Sequence, residues 1–184
     1  WSSDVCSSDL APAFVFRSLQ LRHQDPAGRT GWELSSPEAR YDTRRRLARA
    51  RDPRGVIFAA GAPLYRLSAS TGTLLNDGEM VLLEGEARIE RLGGSPALIR
   101  SRRLRWLPAQ RLVLLDRDPE ASSGPYRLQA RSARLRLDRD LLELEGQPLL
   151  QRWPQGIATG KGAPELLVRM AQVVWSPDRK STRL

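Results

Sequence analysis

Along residues 65–89 apolar and polar side chains alternate one by one. Tyr65, Leu67 and Ala69 fall between Arg66 and Ser68; beyond the Asn76-Asp77-Gly78 turn signal, Val81, Leu83, Ala87 and Ile89 fall among Leu82, Glu84, Glu86, Arg88 and Glu90. A period of two is the mark of a strand with one dry face and one wet face, because successive side chains of an extended backbone point to opposite sides. The pattern returns without a gap at residues 126–150, at a constant offset that maps Tyr65 to Tyr126, Leu67 to Leu128, Asp77 to Asp138, Leu83 to Leu144 and Glu84-Gly85 to Glu145-Gly146. The same parity sets Tyr126, Leu128, Ala130, Leu135, Leu137, Leu142, Leu144 and Leu150 inward and turns arginines and glutamates outward. A recurring unit of this size is a supersecondary element that buries its apolar face by stacking on copies of itself.

Fainter copies follow the same template: Trp32, Leu34, Ala39, Tyr41 and Leu47; Ile99, Leu104, Trp106, Leu112 and Leu115; and Val168, Met170, Val173 and Trp175. Each copy reads as two strands joined by a turn, so the chain is predicted to be all-β, a ladder of antiparallel hairpins. Residues 11–21 read as an edge strand, 116–125 (DRDPEASSGP) as a polar loop, 153–164 as the longest loop and 166–175 as one last strand. Pro37, the Arg44-Arg45-Arg46 tip and the Gly93-Gly94-Ser95-Pro96 stretch mark turns or breaks. No window longer than a couple of turns keeps a helical period.

The two tails are expected to have a separate origin. One short oligonucleotide encodes WSSDVCSSDL on one strand and DRKSTRL on the other, which are residues 1–10 and 178–184, and it looks like a sequencing-library adapter. Residues 11–177 are therefore expected to be a single domain, cut at both ends, and the tails are set aside before fold reasoning. The only cysteine, Cys6, goes with them, which removes disulfides, cysteine-based metal sites and cysteine nucleophiles from consideration. The charged residues of the tails cancel, so the net charge of +9 belongs to the insert. No run approaches the roughly 20 apolar residues of a membrane-spanning helix.

Candidate chemistry is sparse. His23, the only histidine, shares a turn with Asp25; a Ser-His-Asp arrangement stays open beside the plainer reading of a solvated turn histidine. Without a second histidine a zinc site would rest on carboxylates. Glu84-Gly85 and Glu145-Gly146 read as outward charge followed by a bulge glycine in preference to paired acid and base. Gly93-Gly94 and Gly160-Lys161-Gly162 lack the ending and setting of a phosphate loop. No cofactor is expected, and the chain does not read as an enzyme. Nucleic acid would account for the basic balance, but the arginines interleave with carboxylates and the aromatics sit at inward parity, so a solvated β surface is preferred and nucleic acid is not expected as a partner.

The series WELSSPEARYD, VIF, PLYRLSA and VLLEG resembles the repeats of the periplasmic lipopolysaccharide-export proteins, the LptA/LptC/OstA-like superfamily, and looks most like LptC. The resemblance covers residues 32–175. Where the family's unit ends in Gly-Asn-Val, this chain has Gly-Glu-Ala and Gly-Gln-Pro, which leaves the choice among LptC, LptA and related OstA-like domains open. The resemblance implies an open β-jellyroll that holds lipid acyl chains between its sheets, with Leu34, Tyr65, Leu67, Leu83, Tyr126, Leu128 and Leu144 lining the groove. It also implies lipopolysaccharide, an LptA-like carrier and the inner-membrane ABC transporter LptB/LptF/LptG as partners. The implied location is periplasmic, with anchoring to the inner membrane by an amino-terminal helix upstream of residue 11. The alternative is a non-catalytic β-repeat structural or adhesion module with a filled core and no lipid site.

Overall fold

A computed structural model describes residues 13–154 and 163–176. The tails expected to be adapter-derived, and the middle of the loop expected at 153–164, lie outside the described residues. Among the described residues sixteen strands carry the fold. They are β1 (Ala13–Gln24), β2 (Thr30–Asp42), β3 (Leu47–Arg51), β4 (Arg54–Ala59), β5 (Ala62–Ser68), β6 (Thr71–Leu75), β7 (Met80–Arg91) and β8 (Ala97–Leu107). The second half holds β9 (Leu112–Leu115), β10 (Glu120–Ser123), β11 (Tyr126–Gln129), β12 (Ser132–Arg136), β13 (Leu141–Glu145), β14 (Leu149–Arg152), β15 (Leu166–Arg169) and β16 (Gln172–Trp175). Every pairing is antiparallel.

The hydrogen-bonded network folds into two facing leaves because the long strands belong to both. In β2, residues 38–42 pair with β3 while residues 32–35 pair with β4. In β7, residues 80–84 pair with β6 and residues 88–91 with β5; β8 divides in the same way between β9 and β10. One leaf therefore runs β1, β2, β3, β6, β7, β8, β9, β12, β13, β16. The other runs β1, β2, β4, β5, β7, β8, β10, β11, β14, β15.

The line where strands pass from leaf to leaf is written in backbone conformations that most residues avoid. Gly85-Glu86 and Gly146-Gln147, one in each strong repeat, all have positive φ, as do Ser18, Asp52 and Asp118 on the same line. In β7 the extra residue shifts the register between Glu84 and Ala87, a bulge that bends the strand. Pro37, Pro53, Pro119 and Pro148 fall on this line too, where a missing N–H costs no ladder hydrogen bond. Ser36 and Ser101 are buried there, each hydroxyl within reach of two backbone carbonyls, at 2.7 Å from Glu38 and Arg51 for Ser36 and 2.9 Å from Arg103 and Arg117 for Ser101.

The structure corrects the hairpin reading in detail. The first strong repeat holds three strands, β5, β6 and β7, and the second reaches four, β11, β12, β13 and the start of β14; the chain changes leaf at Ala69-Ser70 and again at Ala130-Arg131, where the buried positions shift by one residue. The stretch expected to be a polar loop, 116–125, contains β10. The expected last strand is two, β15 on one leaf and β16 on the other. Among the fainter copies, Val113 and Leu115 are buried while Leu112 is half-buried, because the parity of β9 is set by its pairing with β8 and β12.

Candidate functional site

The interior between the leaves is one apolar cluster. Leu34, Tyr65, Leu67, Leu83, Leu128 and Leu144 all belong to it and are at most 3% exposed, so six of the seven residues predicted to share a groove do share one interior. They are brought together by the period-two pattern: every other residue of β5, β7, β11 and β13 faces the opposite leaf. Packed with them are Val81, Ile89, Ile99, Leu104, Trp106, Val113 and Leu115.

Tyr126 is the exception and corrects the prediction. It is 42% exposed, against 1% for its repeat counterpart Tyr65. Both begin the inward parity of their strands, so parity is not the cause. Tyr65 is roofed by side chains from the far leaf, whereas Tyr126, at the start of β11 beside the Gly124-Pro125 turn, meets no such roof among the described residues.

That roof is a polar fastening. Arg91, at the end of β7 and 5% exposed, donates from Nε and Nη2 to the Asp140 carboxylate at 2.9 and 2.6 Å, and the Tyr65 hydroxyl donates to the same carboxylate. Arg91 Nη1 donates to the carbonyls of Gly93 and Ser95. Asp140 lies in the turn between β12 and β13 on the opposite leaf, so these bonds tie the leaves together at the end away from the crossing line. Burial, the hydrogen bond to Asp140 and the charge of Asp140 hold the Tyr65 phenol far above its ordinary range, with the nearby Arg91 cation opposing. Arg91 was missed in the sequence, although the parity that sets Ile89 inward also sets Arg91 inward.

Beside the fastening, a cavity of about 530 Å³ opens between the leaf ends. Its walls include Trp32, Ile57, Trp106 and Leu137, with Arg29 and Arg111 also lining it. Trp32 and Trp106, from opposite leaves, meet edge to face with ring centroids 5.2 Å apart, and His23 stacks on Trp32 at 5.6 Å. His23 is thus a surface ring on an aromatic shelf; the neighbouring Asp25 is occupied by Arg29 and by the backbone N–H groups of Ala27 and Arg29. By contrast, the larger open depression over the crossing line is lined mostly by polar groups, among them Ser18, Asp52, Arg54, Ser70 and Glu86.

Glu84 and Glu145 point outward into separate ion pairs, with Arg103 at 3.5 Å and Arg134 at 3.7 Å. Arg66, Arg105 and Arg136 likewise face Glu90, Asp116 and Glu143. Among the described residues no group of three or more potential ligands could hold a metal ion. No helix among them is long and apolar enough to cross a membrane.

Among the described residues the sheet does not close: there β1 pairs only with β2, β15 only with β14, and β16 only with β13. Most of the exposed large apolar side chains gather on these edges: Phe14, Val15 and Phe16 on β1, Leu166 and Leu167 on β15. Unpaired strand edges offer backbone donors and acceptors to another strand.

Residues 5–114 match the family model for lipopolysaccharide assembly, LptC-related. A search of curated proteins found no match. The fold is similar to the crystal structure of LptH from Pseudomonas aeruginosa, described as the LptA-homologous periplasmic component of the lipopolysaccharide transport device. The TM-score is 0.54 at 16% identity, covering 82% of this chain and 97% of that one. The likeness identifies the fold as the LptA-like β-jellyroll.

Proposed function

From the premise that the chain belongs to the LptC-related family of lipopolysaccharide assembly, we propose that it is a non-catalytic periplasmic bridge, taking lipid from the inner-membrane ABC transporter LptB/LptF/LptG and passing it to an LptA-like carrier. The acyl chains lie between the two leaves, against Leu34, Tyr65, Leu67, Leu83, Leu128 and Leu144. An amino-terminal helix upstream of residue 11 anchors it to the inner membrane. The observation that carries this reading is one apolar interior between leaves that do not close among the described residues, where β1, β15 and β16 each pair on one side.

Physical chemistry supports the division of labour. Hydrocarbon transferred from water to such an interior gains about 25 cal/mol per Å² of apolar surface buried, which needs no charged partner and no chemistry. The leaves are tied at their ends by Arg91 and Asp140, so lipid enters by loosening that tie and displacing contacts between leaves.

A second reading, a structural or adhesion module with a permanently filled core, draws on the tight packing of Leu67, Leu83 and Leu144. Photo-crosslinking separates the two. Benzoylphenylalanine at Leu67 or Leu128 captures lipopolysaccharide in cells if the bridge reading holds, while the outward position Arg66 does not. Capture at Arg66 alone, or at none of the three, would favour the filled module.

A further inference from the structure

One row of side chains crosses the outer face of the second leaf without an apolar member. In register from strand to strand, Gln20 on β1 pairs with Ser35 on β2, Ser35 with Arg54 on β4, Arg54 with Ser68 on β5, Ser68 with Arg88 on β7, and Arg88 with Arg100 on β8. Each stands next in sequence to an inward residue, as Ser68 does to Leu67 and Arg88 to Ile89, so the row faces out. It runs beside the crossing line. Two open depressions of about 800 and 480 Å³ lie over it and meet at Glu86 and Arg88.

The row is built at a cost to the sheet. Arg88 and Arg100 stand directly opposite each other, and like charges so placed are destabilising. Glu86 holds Arg88 at 3.0 Å. Glu120, the partner of Arg100 on β10, is turned instead to Gln129 at 3.0 Å and Arg127 at 3.6 Å. Among the described residues Arg54 and Arg100 take part in no ion pair, and both are exposed. Arg54 lines the larger depression and Arg100 the smaller, so each depression holds a guanidinium group with room for an anion.

The chemistry of the lining selects the occupant. From Ser35 to Arg100 every strand is paired on both sides, so a peptide finds no backbone edge to extend. The lining holds no aromatic ring on which a nucleobase could stack. Asp52 and Glu86 stand among the arginines, where they repel a chain of phosphates but accept hydrogen bonds from hydroxyl groups. Donors and acceptors follow one another at the inter-strand spacing of about 4.8 Å, close to the advance of one sugar unit in an extended glycan. We infer that this row is a binding track for an extended acidic glycan, whose carboxylates are taken by Arg54 and Arg100 and whose hydroxyls are taken by Ser35, Ser68, Asp52 and Glu86. The track lies outside the leaves, apart from the interior that the bridge reading gives to lipid, and does not depend on that reading.

Isothermal titration of the full chain with hexagalacturonate tests the track. The comparison probes are its full methyl ester, which keeps the hydroxyls and loses the charges, linear hexaphosphate, and hexaglutamate. Hexagalacturonate is expected to bind more tightly than any of them. Arg54→Gln and Arg100→Gln should each weaken it by about tenfold, the loss of one charge-assisted hydrogen-bonded contact. Arg49→Gln removes an exposed arginine of the other leaf, also without an ion pair among the described residues, and should leave binding unchanged. Asp52→Asn should weaken the glycan by a few-fold and strengthen hexaphosphate. Arg100→Gln also ends the like-charge contact with Arg88, so its melting temperature should rise, where loss of an arginine that serves the fold would lower it. Equal weakening by Arg49→Gln would mark plain attraction to net charge and overturn the track. Equal binding of the methyl ester, tighter binding of hexaphosphate or hexaglutamate, absence of hexagalacturonate binding, or a lower melting temperature for Arg100→Gln overturns it as well.

Discussion

Arg91 in β7 and Asp140 in the β12–β13 turn sit on opposite leaves, 49 residues apart in sequence, and meet through contacts of 2.6 to 3.1 Å. The arginine side chain is 3% exposed and the aspartate 21%, so each needs the other to satisfy a charge withdrawn from water.

Removing one member should therefore cost more than an exposed pair would. Arg91→Ala is expected to destabilise the fold by about 3 kcal/mol; the outward pair Arg66 and Glu90 should give no more than about 1 kcal/mol on the same change. Urea denaturation of both variants checks the contrast, and near-equal effects would mean that the buried pair is solvated in solution.

Tyr65 gives a signature in alkali. Its phenol is raised in the folded state above the 10.0 expected of the unfolded chain, so the folded form holds its proton where the unfolded form releases it. The sign follows: this contribution is complete below about pH 10 and shrinks as pH rises beyond it. Stability measured from pH 8 to 11 should fall more steeply for the parent than for Tyr65→Phe. The raised phenol of Tyr41, held up by its hydrogen bond to Asp77, is common to both and drops out of the comparison.

Repeat-equivalent positions should respond equally inside the core and unequally at its end. Leu67→Ala and Leu128→Ala each remove a buried side chain and are expected to cost about 2–5 kcal/mol. Tyr65→Ala should cost at least as much, whereas Tyr126→Ala should stay within about 1 kcal/mol, as changes at exposed positions do. Thermal unfolding of the four variants suffices, and a large loss at Tyr126 would show that β11 is roofed after all.

Gly146 turns the chain between β13 and β14 with φ of +80°, and a Cβ there would come within 2.8 Å of the Arg131 Cβ. Gly146→Ala should destabilise by about 1–3 kcal/mol through backbone strain and that clash. Gly124 also has positive φ but nothing within 4 Å of an added Cβ, so its alanine variant should lose less.

Much of this architecture was legible in the sequence, because alternation reports which side of a strand is dry. It set Leu67, Leu83, Leu128 and Leu144 inward and identified Gly85 as a bulge position, whereas Gly146, read the same way, turns the chain between β13 and β14. Alternation does not report which leaf a strand joins: at Ala69-Ser70 the buried positions shift by one, from Tyr65 and Leu67 to Gly72 and Leu74, and such a shift reads as no more than a turn. For the same reason residues 166–175 read as one strand though β15 and β16 part at Met170-Ala171. Burial at a strand's end depends on what the other leaf lays over it, so Tyr65 and Tyr126 looked alike. Nothing local to Arg91 names Asp140 as its partner.

The crossing line works as the spine of a book. Strand after strand kinks there at a few torsions while the ladder on each page stays whole, so pages can part by rotation without tearing a row of backbone hydrogen bonds. On the bridge reading, the free energy of admitting lipid falls on side chains that touch across the gutter and on the clasp at the fore-edge, and the width of the opening follows the bulk of what is carried.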